Sequence, residues 1–167
     1  MSFCKRCGRR LIPPMGSPNA EILLVGDAPT GYDVKEGQLW TGPGGDILKI
    51  ELANAGIHMK QVRITNMWLH PKKNDCYAHM EELLNEMNGK KFILLMGADP
   101  VKHFTNENVS DVSGLRVDTF DYAKDLLPAG PIVYAIYNPA MAMRDKMGEV
   151  RLGFEKFGRA VNEPTNI

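Results

Sequence analysis

A chain of 167 residues suits one domain with its own core, and 44% hydrophobic with 24% charged residues excludes disordered and fibrous classes. Twenty Lys+Arg balance twenty Asp+Glu, so no global basic field advertises nucleic acid. No apolar run is long enough to span a bilayer, and no apolar stretch follows the basic N-terminus as a secretory signal requires. Three cysteines, two of them three positions apart, suit metal or redox work in a reducing compartment, so a cytoplasmic address is expected.

Cys4-Lys5-Arg6-Cys7-Gly8 has the form of a knuckle, two thiols followed by a glycine that lets the backbone fold round a metal. His70, Cys76 and His79 are the remaining candidates to complete such a site. Residues 11–20 read as a Pro/Gly/Ser linker. The apolar run 22–25 predicts a buried strand, and it stops at Gly26. The following stretch to Gly45 shows no usable period and is rich in glycine, which marks it as the expected site.

Further on, 46–55 predicts a helix stopped by Gly56, and 61–67 alternates like a strand. An amphipathic helix is expected over 77–87, an apolar strand over 92–96 and a short helix around 100–104. An edge strand is expected near 115–120, a last strand over 131–137 and a final helix over 141–161. Strands alternating with helices imply an α/β fold, a three-layer α/β/α sandwich round a mostly parallel four-stranded sheet. Residues 1–167 then form one domain, with 1–20 as a metal-binding knuckle and linker. Four strand ends, at Asp27, Asn66, Gly97 and Asn138, should share one edge of the sheet. Neither G-x-G-x-x-G nor G-x-x-x-x-G-K-[ST] occurs, which removes the common nucleotide-binding loops.

Gly26-Asp27-Ala28-Pro29-(x3)-Asp33-(x3)-Gly37-(x2)-Trp40-Thr41-Gly42-Pro43-Gly44-Gly45 resembles, without a gap, the first motif of the family 4 uracil-DNA glycosylases, G-E-x-P-G-x-x-E-D-x-x-G-x-P-F-V-G-x-A-G. Thr65-Asn66 falls on the asparagine of the family's T-N-x-x-K-C-R-P-P segment, Met96-Gly97-Ala98 on its L-G-x-x-A, and Asn138-Pro139-Ala140 on its H-P-S. The resemblance covers nearly the whole chain. It implies a monomer that excises uracil, or a related modified pyrimidine, from DNA by flipping the base into a pocket.

Under that resemblance Gly26 and Ala28 line the base pocket, and Trp40 supplies a flat stacking face. Asn66 accepts from N3–H and donates to O4 of a uracil-like edge. Asp33 holds a water against C1′, with Asp27 as the second carboxylate. Asn138 replaces the family's histidine, so a donor to O2 is kept while a cation is lost. A catalytically weak or inactive DNA-binding relative is therefore the alternative. Met141 stands where the family inserts an apolar wedge, with Arg144 and Lys146 beside it for phosphates. Arg6, Arg9, Arg10, Lys72 and Lys73 form a second candidate phosphate patch.

The family's metal is a 4Fe-4S cluster on four cysteines. Four residues past Asn66 the chain has His70, so the implied ligands are Cys4, Cys7, His70 and Cys76. Three thiolates and one imidazole also make a structural zinc site, and Cys76-Tyr77-Ala78-His79 leaves His79 open as the fourth ligand.

Overall fold

A computed structural model describes residues 1–119 and 130–163. Three apolar runs and one alternating stretch form parallel strands: β1 (Ile22–Gly26), β2 (Val62–Asn66), β3 (Phe92–Met96) and β5 (Ile132–Ile136), with β2 the alternating one. A fifth, β4 (Leu115–Arg116), pairs antiparallel with β5 and closes the order β2-β1-β3-β5-β4. The sheet thus has five strands rather than four. The extra one is the expected edge strand, cut to two residues; position 120 lies outside the described residues.

Side chains alternate along β1, so Ile22 and Leu24 face one layer while Leu23 and Val25 face the other. Leu48 and Leu52 of α2 (Pro43–Asn54), with Val150, Phe154 and Phe157 of α6 (Met147–Asn162), fill the first face. Leu83 and Met87 of α3 (Met80–Met87), with Val101 and Phe104 of α4 (Ala98–Thr105), fill the second. Val109 and Val112 of the one-turn α5 (Val109–Val112) join that layer. This is the α/β/α sandwich that the strand–helix alternation implies.

Two segments depart from expectation in ways that matter to the site. A helix, α1 (Gly31–Glu36), interrupts the glycine-rich stretch. Thr30 caps it by a reciprocal box, its hydroxyl accepting from the Asp33 N–H while Asp33 Oδ2 accepts from the Thr30 N–H at 3.2 Å. The last helix begins at Met147, not 141, because Asn138 caps a separate 3-10 turn over Pro139–Met143. The 11–20 segment is no free linker either. Ile12 is fully buried, and Met15 exchanges both backbone hydrogen bonds with Ile64, covering the β2 edge.

The parallel register sets Gly26 opposite Asn66 and ends β3 at Gly97 beside Ile136. Asn66, Asp27, Gly97 and Asn138 therefore follow one another across the carboxyl edge, as expected. β2 lies on one side of β1 and β3 on the other. The chain's direction reverses there, at a topological switch point, where open α/β sheets bind ligands.

Candidate functional site

A cavity of about 680 Å³ opens at that edge. Asp27, Ala28, Asp33, Trp40, Asn66, Asn138, Met141 and Arg144 line it, so eight residues selected from the sequence meet in one hollow. Gly26 forms part of the seat beneath. A Cβ there would overlap Asn66 Oδ1 and come within 3.1 Å of Trp40 Cζ2, so the indole and the amide close over a bare backbone. Lys146 is not among the lining residues; its ammonium stands 5.6 Å above the Tyr137 ring.

Trp40 adopts φ +56, a left-handed conformation costly for a bulky side chain. Gly45 permits it, since any Cβ at Gly45 would overlap the Trp40 carbonyl. The indole is half-buried against the core and its Nε1–H is buried without a partner. It is a wall of the cavity, not a core residue.

The two acids differ. Asp33 is 4% exposed and both oxygens are engaged: besides the cap, Oδ1 accepts from the Thr41 N–H and hydroxyl, each at 3.0 Å. It ties α1 to the loop that carries Trp40. Asp27 keeps Oδ1 buried and unpartnered, while Oδ2 meets Lys72 Nζ at 2.6 Å. Burial raises the Asp27 pKa above the usual carboxylate range; the Lys72 ammonium opposes that, and nearby Asp99 reinforces it. Lys72, expected in a phosphate patch, is instead ion-paired with Asp27 and Asp99, a pairing that depends on the fold of a distant loop.

Asn66 is 3% exposed. The Asn138 carbonyl accepts from the Ala140 N–H at 2.9 Å, which orients the amide and leaves its NH2 free to donate. Around the mouth stand residues that the sequence did not single out. Tyr32 is 59% exposed with its ring on Gly42, and Met143 is 54% exposed; both line the cavity. Met141, the expected wedge, lines the cavity while half-buried against the core. No sequence signal marked Tyr32, because the helix that presents it has no apolar period.

A group of donors able to hold a metal lies outside the cavity lining. Donor atoms of Cys4, Cys7, His70 and Cys76 all fall within 4.8 Å of one another. Cys4 Sγ is 3.8 Å from Cys76 Sγ, and Cys7 Sγ is 3.3 Å from His70 Nε2. His79 is outside this group: its Nδ1 accepts from the Leu69 N–H at 3.0 Å. Burial, then Arg6 and His70, hold its pKa down, which suits a neutral ring that accepts. For Cys7, burial pushes the thiol up, but hydrogen bonds from Arg9, Cys4 and Cys76 outweigh it and bring the group to about 6.

The expected phosphate patch is largely committed to this region. Arg9 forms a two-pronged pair with Asp75 at 2.7 and 3.3 Å, and Arg6 stacks 3.8 Å over Tyr77 while donating to its carbonyl. No helix among the described residues is long and apolar enough to cross a membrane.

Fold and cavity together define an α/β/α protein with a ligand hollow at the sheet's switch point. Residues 13–163 match the family model described as the Uracil DNA glycosylase superfamily, and the chain belongs to that superfamily. It is 26% identical over 162 residues to the type-4 uracil-DNA glycosylase of Sulfurisphaera tokodaii, covering 84% of this chain and 71% of that one. A 69-residue match to the type-4 enzyme of Archaeoglobus fulgidus is 32% identical, covering 38% and 35% of the two chains. In fold it is similar to a Methanosarcina acetivorans NMR structure described as a candidate uracil DNA glycosylase. The TM-score is 0.50 at 14% identity, over 87% of this chain and 96% of that one.

Proposed function

We propose that this protein hydrolyses the N-glycosidic bond of uracil, or of a closely related modified pyrimidine, in DNA. The observation that carries the reading is the convergence of Asp27, Trp40, Asn66 and Asn138 on one cavity at the mouth of β1. A flipped pyrimidine stacks on Trp40 and presents its N3–H and O4 edge to the Asn66 amide. Cytosine shows the reverse donor–acceptor pattern and is refused.

Asp27 takes the water-holding role in this reading, and Asp33 the role of shaping the loop. The support is local: Asp27 Oδ1 is buried without a partner, whereas both oxygens of Asp33 are engaged within the protein. A water on Asp27 attacks C1′ as the C1′–N1 bond breaks. The bonding electrons leave with the base, and Asp27 accepts the water's proton. Negative charge collecting on O2 of the base is met by the Asn138 NH2, oriented by the Ala140 N–H. An amide stabilises that charge less than an imidazolium would, so slow turnover is expected.

At the rim, Met143 is the apolar side chain free to fill the vacated stack, with Tyr32 beside it and Arg144 placed for a phosphate. The free thiols suit a reducing, cytoplasmic setting. Incubation with single- and double-stranded oligonucleotides containing uracil or a panel of modified pyrimidines, followed by alkali, is the test. Strand breaks at the modified base are the expected result. Binding without any break on the whole panel would mark a non-catalytic DNA-binding relative instead.

A further inference from the structure

We infer that Cys4, Cys7, His70 and Cys76 hold a single tetrahedral zinc ion, not the four-iron cluster that the family resemblance implies. Spacing decides it. Zinc with Zn–S of about 2.3 Å and Zn–N of about 2.0 Å sets its sulfurs about 3.8 Å apart and sulfur to nitrogen about 3.5 Å apart. The structure has 3.8 Å between Cys4 and Cys76 and 3.3 Å between Cys7 and His70, with all four donors inside 4.8 Å. A four-iron cluster seats each ligand on its own iron with the ligands diverging outward, which spreads them to roughly 6 Å.

The donors are also fastened where they stand. Gly8, at φ +77, donates to the Cys4 carbonyl at 2.8 Å; the Cys4 N–H donates to Arg9 at 2.7 Å; and Phe3 bridges Arg10. This is a tight knuckle whose two thiols face one point. His70 is fully buried, and its Nδ1–H donates to the Pro71 carbonyl at 2.7 Å, which directs the Nε2 lone pair at Cys7. These bonds shape each segment locally, and the cross-segment spacings of Cys4 to Cys76 and of Cys7 to His70 are what suit a single ion.

Three thiolates and a neutral imidazole leave a zinc ion with one net negative charge and no open coordination position. Such a closed site is structural. The Arg6 and Arg9 guanidinium groups lie against Cys76 and Cys7 and balance that charge. The zinc site is redox-silent.

The test reads metal, not catalysis, so its outcome is independent of the glycosylase reading. The full-length protein is produced in iron-supplemented medium, purified anaerobically, and assayed for zinc, iron and acid-labile sulfide. One zinc per chain, no sulfide and no visible colour are expected. Brown protein with iron and sulfide in equal amounts overturns the proposal, as does a lone iron without sulfide. Replacement of the metal by cobalt(II) should give the intense ligand-field bands of a tetrahedral three-sulfur, one-nitrogen site. His70→Cys should shift those bands while keeping one ion per chain, and an unshifted spectrum would remove His70 from the ligand set.

Discussion

Asp27 and Asp33 separate two jobs that one motif assigns together. Asp27→Asn removes the proposed proton acceptor without breaking a cap, so single-turnover excision should fall by roughly 10²-fold or more with folding stability unimpaired. Asp33→Asn deprives the Thr30 and Thr41 donors of a charged acceptor, and denaturant melts should show a loss of about 1–2 kcal/mol with a milder effect on rate. The reverse pattern would return the water to Asp33. The pH profile follows from burial. Asp27 must be ionised to act, and burial raises its pKa. Activity should therefore be present above that raised value and vanish as pH falls through it. Lys72 opposes the rise, so Lys72→Met should move the acid limb further up in pH; an unmoved limb would show that Asp27 is not the group being titrated. Asn138→His should speed excision by roughly tenfold or more below the imidazole's pKa, where it can meet the charge on O2 as a cation.

Between elements, the half-buried pair of Arg63 on β2 with Glu86 on α3 does similar fastening work. Arg63 reaches Glu86 through two nitrogens at 2.9 and 2.8 Å and donates to the Gly16 carbonyl at 2.6 Å, joining strand, helix and the 11–20 segment. The Arg63 guanidinium holds the Glu86 carboxyl below its ordinary value. Its contribution is therefore complete above the unfolded glutamate pKa and is lost as pH falls through the lower folded one. Glu86→Gln should cost about 1–2 kcal/mol in urea melts at neutral pH and much less in strong acid. A loss equal at both pH values would show that packing, not charge, is at stake. None of this pairing was legible in the sequence, whereas the four parallel strands were. An apolar or alternating run closed by Gly26, Asn66 or Gly97 signals its own ends. α1 was hidden because Asp33 is its one buried residue, so no apolar period exists to be read. The 77–87 helix starts late, at Met80, because the His79 N–H donates to the Met67 carbonyl, a bond no local pattern encodes. The cavity residues were legible through their motif spacing, but Tyr32 and Met143 reach the cavity, and Lys72 reaches Asp27, only through the tertiary fold.

The metal group and the cavity are joined by one short loop, and that gives the molecule as a whole a testable coupling. Cys4 and Cys7 come from the N-terminus, His70 and Cys76 from the segment after β2, and Lys72 lies between the last two. The same loop is held by Arg9 on Asp75 and Arg6 on Tyr77, both exposed contacts that contribute little alone. Removing the metal should therefore release residues 1–10 and 70–77 together, and with them the Lys72 ammonium that faces Asp27. The sheet should be spared, since its core residues are packed by α2, α3, α4 and α6 and none is a ligand. Hydrogen exchange on chelator-treated protein should show protection lost in those two segments and kept in β1 and β3. The acid limb of excision should then move up in pH, as it does in Lys72→Met, and adding zinc should restore both protection and profile. Metal-free protein that keeps the pH profile of the intact one would break the link between the two sites, because Lys72 would then hold its place without the metal.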